Sequence, residues 1–401
     1  MNAFAVGGTV RATFTLAGEL AKRHDVEIVS VYRLRTADPA LPVPDGVRLR
    51  TLTDLRAGTV ESLPPLRRRL YEQPSRLFSS NDIRYRNFSL LTDVALLRFL
   101  AGVRDGILIG TRPGLNLIVA HLASDSVVRI GQDHLNLKSY HPALRANMRA
   151  AYRRLDLLST LTERDAAAYR EMLGDRPPVE CFPNPAPDVG GRRASGEEKV
   201  VIAAGRLTRQ KAFDRLIDAW AHVAPRHPDW QLRIFGEGSK RGALQRRIER
   251  HGIADSAHLM GFTDRLHDEL ARASLYVMTS RAEGFPMVLL EAMGVGLPVV
   301  SVDCYTGPSD IVTDGVDGRI VPEEDGPALV EAMSELMGDD AKRKAFGAKA
   351  LDAAARYDLA TITARWEQRL TQLDAFRHGR RTIARPVLGV ARKKAMRRLS
   401  R

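Results

Sequence analysis

The alternation of apolar runs with helical periods constrains the fold of this chain more than any other feature. Short runs rich in Val, Ile and Leu are followed by stretches of helical periodicity, and the connections between them are short. The pattern stops in a loop rich in Pro, Gly and Arg at residues 183–199 and begins again at residue 200. Because strand–helix alternation of this kind builds parallel sheets covered on both faces, the sequence predicts an α/β chain with two such sheets.

The predicted elements lie on both sides of that loop. In the first half we expect a helix at Ala12–Arg23 and strands at Val26–Val31, Gly106–Ile109, Val127–Gly131 and Leu157–Leu161. In the second half we expect strands at Val200–Ala204, Gln231–Gly236, His258–Gly261, Leu275–Thr279, Pro298–Val302 and Gly318–Val321. The helices predicted there are Phe213–Ala224, Ser239–His251, Arg265–Ala273 and Met287–Gly294. The predicted divisions are a first domain at 1–184, a linker at 185–198, a second domain at 199–358, a C-terminal helix at 359–376 and a basic tail at 377–401.

The start of the chain departs from this pattern. The pair Gly7-Gly8 opens a helix after six residues, whereas a glycine-rich turn of this kind normally follows the central first strand of such a sheet. We therefore expect that the first strand is missing from the written start. The alternative is that Asn2–Val6 is itself a short strand. Thr9 is predicted to cap the helix.

The net charge of the chain limits the classes of partner that it is expected to bind. Lys and Arg outnumber Asp and Glu by 61 to 48, which predicts attraction to polyanions. Aromatic residues do not interleave the basic runs, so no nucleic-acid partner is expected. The basic tail at 377–401 has no acidic residue and is either an amphipathic helix on an anionic bilayer or a solvated segment. The runs Leu66–Leu70 and Arg145–Arg154 are further candidates for docking on such a membrane.

Two cysteines, Cys181 and Cys304, are too few for a disulfide scaffold and have no metal-binding spacing. The sequence also has no uninterrupted apolar run of the length that a membrane-spanning helix needs. We therefore expect a cytoplasmic protein, at most peripheral on the inner face of the cell membrane.

The most informative segment joins a predicted strand to a predicted helix. It contains Glu283, then Glu291 inside the helix, and between them Gly284, Phe285, Pro286, Met287 and Val288. Free backbone N–H groups and the positive end of the helix dipole meet at such a turn, which suits a phosphate or sugar oxygens. Carboxylates accept hydrogen bonds from vicinal hydroxyls, so one acid is predicted to hold the sugar and the other the ribose. The alternative is an ordinary loop acid and a surface helical Glu.

In its context this segment resembles the signature of the retaining glycosyltransferases of family 4, also called glycosyl transferases group 1. That signature is E-x7-E with Gly-Phe-Pro after the first Glu. Across residues 200–322 the other motifs follow in the family's order: Gly205-Arg206-Leu207, Gln210-Lys211, Phe235-Gly236-Glu237-Gly238, Gly261-Phe262, Pro298-Val299-Val300 and Gly307-Pro308-Ser309-Asp310. The resemblance implies the GT-B architecture, in which two Rossmann-like domains have parallel sheets facing a central cleft.

The resemblance also implies roles for individual residues of the second domain. Arg206 and Lys211 follow its first strand, where ligands gather in open α/β sheets, and two cations there stabilise a leaving diphosphate. Gly205, Gly236 and Gly238 are expected to let the backbone approach the nucleotide.

In the first domain the resemblance implies that Gly7 and Gly8 lie near the donor phosphates. It also implies that His134, after the strand ending at Ile130, lies close to the reacting sugar. On the sequence alone, a lone histidine is more often structural. Asp133 and Asn136 are expected contacts of the acceptor.

Together these features predict a retaining hexosyltransferase. The donor is a nucleotide diphosphate sugar, expected to be a UDP-sugar, and the acceptor is a cell-envelope glycan, polymer or lipid-linked molecule. No Asp-x-Asp clamp follows a strand, so neither metal nor cofactor is expected, and the charge on the leaving diphosphate is expected to be met by Arg206 and Lys211. Together with Glu283 and His134, whose roles the resemblance implies, these are the predicted catalytic residues. The alternatives are a sugar-nucleotide epimerase or glycoside phosphorylase on the same fold, or a basic protein that binds membranes or polyanions.

Overall fold

A computed structural model of the protein describes residues 2–375 except 6, 35–37 and 40. The described residues form two compact units. Unit 1 contains residues up to 160, residues 166–182 and those from 363 onward, and unit 2 contains residues 161–165 and 183–362. The boundary at 182/183 lies next to the predicted linker at 185–198. The predicted basic tail at 377–401 lies outside the described residues.

Unit 1 is an α/β unit with parallel strands. Its strands are β1 (Val26–Ser30), β2 (Val47–Thr51), β3 (Ile107–Gly110), β4 (Val128–Gln132), β5 (Leu157–Thr160) and β6 (Val179–Cys181). Its helices are α1 (Gly8–Ala21), α2 (Pro65–Glu72), α3 (Leu90–Gly102), α4 (Pro113–Leu122), α5 (Pro142–Ala151) and α6 (Glu163–Leu173), of which α6 begins in unit 2. Over the described residues, β1 pairs with β2, and a separate sheet has the order β3-β4-β5-β6.

Two predictions for the start of the chain are wrong. Residues 2–5 form a turn, with the Ala5 N–H donating to the Asn2 carbonyl at 3.3 Å, so the alternative of a strand over Asn2–Val6 does not hold. Thr9 does not cap the helix, because α1 begins at Gly8 with Gly7 as its N-cap residue and Thr9 lies inside the first turn.

The C-terminal helix, residues 359–375, carries the chain back to unit 1. The Trp366 ring is almost fully buried and stacks on Phe182 with a centroid distance of 4.1 Å. Arg369 forms an ion pair with Glu180 at 2.7 Å. Aromatic stacking and this ion pair therefore fix the helix against the end of β6.

Unit 2 is built around one parallel sheet. Its strands are β7 (Val200–Ala204), β8 (Gln231–Phe235), β9 (Ala257–Gly261), β10 (Leu275–Met278), β11 (Val299–Asp303) and β12 (Gly318–Pro322). Its helices are α7 (Phe213–Val223), α8 (Arg241–Arg250), α9 (Leu266–Arg272), α10 (Met287–Gly294), α11 (Pro308–Ile311), α12 (Gly326–Gly338) and α13 (Asp340–Ala355). The strand order is β12-β11-β10-β7-β8-β9, so the direction of winding reverses between β7 and β10. Ligands of doubly wound sheets bind outside the carboxyl ends of the strands at such a reversal.

The core of unit 2 lies on both faces of this sheet. Val201 and Ala203 of β7 belong to the cluster that contains Trp220 of α7, whereas Val200 and Ile202 belong to the cluster that contains Leu290 of α10. This alternation explains why the strands are apolar throughout, as expected for a parallel sheet covered on both sides. In the part of the chain that the structure describes, no helix has the length and apolar character needed to cross a membrane.

Candidate functional site

The reversal between β7 and β10 brings two of the predicted site residues into contact. Lys211 lies on the loop after β7 and Glu283 on the loop after β10, 72 residues further along the chain. The Lys211 ammonium donates a hydrogen bond to Oε1 of Glu283 at 2.7 Å. Both side chains are largely buried, with 19% and 9% of their surface exposed. A cation and a carboxylate therefore stand side by side where this fold binds ligands.

Three hydrogen bonds hold the two loops in this arrangement. The Gln210 side-chain amide donates to the carbonyl of Ala282 at 2.8 Å, and the Arg281 N–H donates to the carbonyl of Gln210 at 2.8 Å. The Thr279 hydroxyl donates to the carbonyl of Ala212 at 3.1 Å. Ala212 has a left-handed backbone with φ of 50°, a conformation that costs a non-glycine residue free energy. The strained residue directly follows Lys211.

The predicted donor-binding glycines allow two neighbouring loops to touch. A Cβ on Gly236 would lie 1.9 Å from the carbonyl oxygen of Gly205, and one on Gly238 would lie 2.4 Å from the carbonyl oxygen of Leu207. The Gly205 N–H in turn donates to the carbonyl of Phe235 at 2.9 Å. These glycines therefore have a packing role in the structure, and their contact with a donor stays a prediction.

The turn before α10 is held in place by contacts with Thr306, Gly307 and Tyr357. The Thr306 hydroxyl donates to the carbonyl of Glu283 at 2.8 Å, and Gly307 packs so closely that a Cβ there would lie 2.6 Å from the Pro286 ring. The Phe285 ring is buried and meets Tyr357 edge-on at 5.6 Å. The rings of Phe285 and Pro286 are therefore used in packing, and the contact of the Gly284–Pro286 backbone with a donor stays a prediction.

Glu291 lies deeper than the sequence suggested. Its side chain is 2% exposed on α10, with Oε1 3.8 Å from Nε2 of His267 on α9. Burial, together with the negative charges of Glu283 and Glu291, raises the pKa of Tyr276 well above its ordinary value, so this phenol stays protonated. Met287 and Val288 are half-buried at the start of α10. The contact of Glu291 with a ribose stays a prediction.

Arg206 differs from Lys211 in its surroundings. It follows Gly205, the first residue after β7, and it is exposed. Within the described residues its guanidinium has no ion pair or hydrogen bond. A guanidinium without an internal partner is able to bind an anionic ligand without first breaking an ion pair.

In unit 1, His134 is buried and neutral. Burial lowers the pKa of its imidazole to about 4. Neither ring nitrogen has a hydrogen-bond partner among the residues that the structure describes. Gly7 and Gly8, the other predicted site residues that begin this unit's helix α1, are exposed.

The two predicted acceptor contacts make internal hydrogen bonds. The Asp133 carboxylate accepts from the Tyr169 hydroxyl at 2.5 Å and from the Asn116 amide at 2.9 Å. Oδ1 of Asn136 accepts from the Ser139 N–H at 3.0 Å, which closes a short helical turn. Both residues are therefore used to shape the end of β4, and their contact with an acceptor stays a prediction.

His134 predicts a pH dependence of stability. Its pKa is about 4 in the folded chain, against about 6.5 for an exposed imidazole in the unfolded chain. The unfolded chain therefore binds more protons between these values, so the stability present above about pH 6.5 is lost as the pH falls towards 4. We expect the wild type to lose about 3 kcal/mol more than His134→Gln between pH 7 and pH 4, measured by urea unfolding. Equal losses in both proteins would contradict this assignment.

Three residues to which the sequence patterns assigned no role at the site lie beside it in the structure. Gln210 and Thr306 anchor the loops that carry Lys211 and Glu283. The third, Cys304, is buried beside this region, and burial raises the pKa of its thiol to about 12, so the thiol stays protonated. Among the described residues, no group of three or more His, Cys, Asp or Glu is placed to hold a metal ion. The sequence signal for Thr306 was its position before the Gly307-Pro308 motif.

Comparison with known proteins connects this site to a family. A family model described as Glycosyl transferases group 1 matches residues 191–352, which include Lys211, Glu283 and Glu291. The chain is 37% identical over 394 residues to an exopolysaccharide phosphotransferase of Streptomyces coelicolor, covering 94% of this chain and 41% of that protein. It therefore spans about two fifths of the length of that relative.

Two further proteins match over almost their whole length. An amylovoran biosynthesis glycosyltransferase of Erwinia amylovora is 27% identical, with 90% of this chain and 95% of that protein covered. The crystal structure of an S. aureus TarM variant in complex with UDP superposes with a TM-score of 0.73 at 15% identity, covering 92% of this chain and 98% of that one. The structural similarity to TarM includes residues of both units.

Proposed function

We propose that the chain, whose residues 191–352 match the model of the glycosyl transferases group 1 family and which has the GT-B fold, transfers a hexosyl unit from a nucleotide diphosphate sugar with retention at the anomeric carbon. The observation that carries this proposal is the buried Lys211–Glu283 pair at the carboxyl ends of β7 and β10. In the proposed complex each member of the pair binds a different part of the nucleotide sugar. The Lys211 ammonium suits the diphosphate, and the Glu283 carboxylate suits the sugar hydroxyls.

In the proposed reaction the bond between the anomeric carbon and the diphosphate oxygen breaks, and the acceptor hydroxyl oxygen bonds to that carbon. The acceptor proton passes to the leaving diphosphate oxygen. Lys211, Arg206 and the start of α10 stabilise the negative charge that grows on the leaving group. Glu283 orients the sugar instead of attacking it, which is consistent with its hydrogen bond to Lys211. A UDP-sugar is the proposed donor, supported by the UDP bound to TarM.

The proposed acceptor is a cell-envelope polysaccharide or a lipid-linked precursor of one. The names of the Streptomyces and Erwinia relatives, an exopolysaccharide enzyme and an amylovoran biosynthesis enzyme, support this class. Peripheral binding to the anionic inner face of the membrane is supported by α2, none of whose residues is buried. On this helix Leu66 is 71% exposed beside the exposed Arg67, Arg68 and Arg69.

A second candidate is transfer of a phosphate-linked sugar, because the Streptomyces relative is named a phosphotransferase. That reaction breaks the bond between the two phosphates of the donor, leaves a nucleoside monophosphate and adds a sugar phosphate to the acceptor. The sugar-nucleotide epimerase and glycoside phosphorylase alternatives keep the fold but differ in reactants. An epimerase needs only the donor, and a phosphorylase needs glycan and inorganic phosphate but no nucleotide.

One labelling experiment separates these reactions. The protein is incubated with UDP-, GDP- or ADP-glucose carrying ³²P in the β-phosphate, with and without a cell-envelope polysaccharide extract. We expect the label to appear in free UDP, only when the acceptor is present and only with the UDP donor. Label in the polymer would establish phosphotransfer, and a sugar isomer formed from the donor alone would establish epimerisation. Either result would overturn the proposal, as would turnover of glycan that requires only phosphate.

A further inference from the structure

Unit 1 contains a polar cavity that the proposed reaction does not use. It has a volume of ≈ 600 Å³ and lies where α4 ends and β4 begins. Its polar lining consists of His121, Ser124, Asp125, Arg129 and Arg154. The cavity is therefore at the amino edge of the β3-β4-β5-β6 sheet, whereas His134 follows the carboxyl end of β4. Its volume is within the range of about 300–1,000 Å³ that small-molecule sites occupy in proteins.

Arg129 is built into the wall of this cavity. Its side chain is 11% exposed and forms an ion pair with Asp125. Its Nη1 donates to the carbonyl of Ala120 at 3.4 Å. Its Nε has no hydrogen-bond partner within the described residues. The Asp125 carboxylate of this pair is 95% exposed, so solvent screens it and the Arg129 guanidinium keeps much of its attraction for an anion in the cavity.

Arg154 and His121 are also part of the lining. Nη1 of Arg154 lies 3.0 Å from Nδ1 of His121, so the neutral imidazole accepts a hydrogen bond from the guanidinium. Burial and the charge of Arg154 both lower the pKa of His121. Asp125 is the single carboxylate among the lining residues, and its charge is shared with Arg129. The cavity therefore has an excess of positive charge.

We propose that this cavity is a binding site for a phosphate ester, held between Arg129 and Arg154. Guanidinium groups bind phosphate oxygens through paired hydrogen bonds, and both arginines line the cavity. The cavity is larger than a phosphate ion needs, so the organic part of the ester also fits. The site lies in unit 1 and does not depend on the donor site of unit 2.

The chain, labelled at its histidines, is titrated with inorganic phosphate, with glycerol 3-phosphate and with phosphatidylglycerol vesicles. His121 is the NMR reporter, assigned with His121→Gln. We expect both soluble phosphates to raise the pKa of His121, because an anion beside the ring favours its charged form. Arg154→Gln is expected to weaken binding of both about 10-fold or more, since it removes a charge-assisted pair. Vesicle binding that also requires Arg154 would assign the site to a lipid headgroup, whereas soluble binding alone assigns it to a soluble ester.

The matched control is Arg153→Gln. It removes the same charge from the adjacent, exposed position, which does not line the cavity. We expect this variant to bind both phosphates as the wild type does. Equal weakening by Arg153→Gln and Arg154→Gln would show general charge attraction and overturn the proposal. A response of His121 to phosphate no larger than its response to chloride at the same ionic strength would also overturn it.

Discussion

Replacing Lys211 with Met is expected to lower kcat/KM for sugar transfer about 100-fold or more, and Glu283→Gln is expected to do the same. The reason is that Lys211 neutralises charge on the leaving diphosphate, whereas Glu283 orients the sugar. Each single change also leaves its partner buried without the 2.7 Å ion pair. Removal of one member of a buried pair costs about 3–5 kcal/mol, so both single variants are expected to lose stability as well.

The double variant Lys211→Met/Glu283→Gln separates the two effects. It removes both charges, so its stability is expected to recover most of the loss of the single variants, while transfer stays about 100-fold down or lower. The matched control is Lys199→Met. Lys199 precedes β7 at the opposite edge of the same sheet and forms an exposed ion pair with Asp229. We expect it to keep wild-type transfer within about twofold, because exposed pairs contribute about 0–1 kcal/mol. Recovery of both stability and transfer in the double variant would contradict a role in the reaction.

The second large effect is expected from Gly236→Ala. Gly236 has φ of 136°, and a Cβ there would lie 1.9 Å from the carbonyl oxygen of Gly205. That oxygen belongs to the backbone of the loop after β7, so it cannot rotate away as a side chain would. Overpacking and left-handed strain together are expected to lower the free energy of unfolding by about 2–5 kcal/mol.

Gly242→Ala is the control for this prediction. Gly242 lies in α8, where the nearest side-chain atom to a Cβ would be Nη1 of the flexible Arg246 side chain at 3.5 Å. Alanine there is expected to raise the free energy of unfolding by about 0.5–1 kcal/mol, because glycine is a poor helix former. Denaturant unfolding followed by circular dichroism measures both variants. Similar stabilities for the two would mean that the loops after β7 and β8 do not meet as described.

The elements whose bounds were predicted best from the sequence are those made almost entirely of apolar residues. The apolar run Val200–Ala204 is buried on both faces, and its predicted bounds agree with β7. The helix Met287–Gly294 was also predicted with its observed bounds. By contrast β2 was not predicted, because Arg48 and Arg50 interrupt its apolar residues on the side that is not buried. Strand β6 has three residues, too few for a pattern to emerge.

The structure shows which of the predicted site residues are in contact, and their role in binding a donor stays a prediction. The motif spacing identified Lys211 and Glu283 separately, and the strand order is what brings them together. No local signal in the sequence links Asp133 to Tyr169, which lies 36 residues further on. The left-handed backbone of Ala212 is equally invisible in the sequence, because alanine carries no preference for that conformation.

Isothermal titration calorimetry with UDP and with UDP-glucose tests most directly whether Lys211 binds the diphosphate of the donor and Glu283 binds its sugar. Lys211→Met is expected to weaken the binding of both ligands about 10-fold or more, because both carry the diphosphate. Glu283→Gln, compared with the wild type, is expected to reduce the extra affinity that UDP-glucose has over UDP, because only the sugar contacts the carboxylate. Unchanged affinities for both ligands in both variants would contradict the account, since the donor would then bind elsewhere.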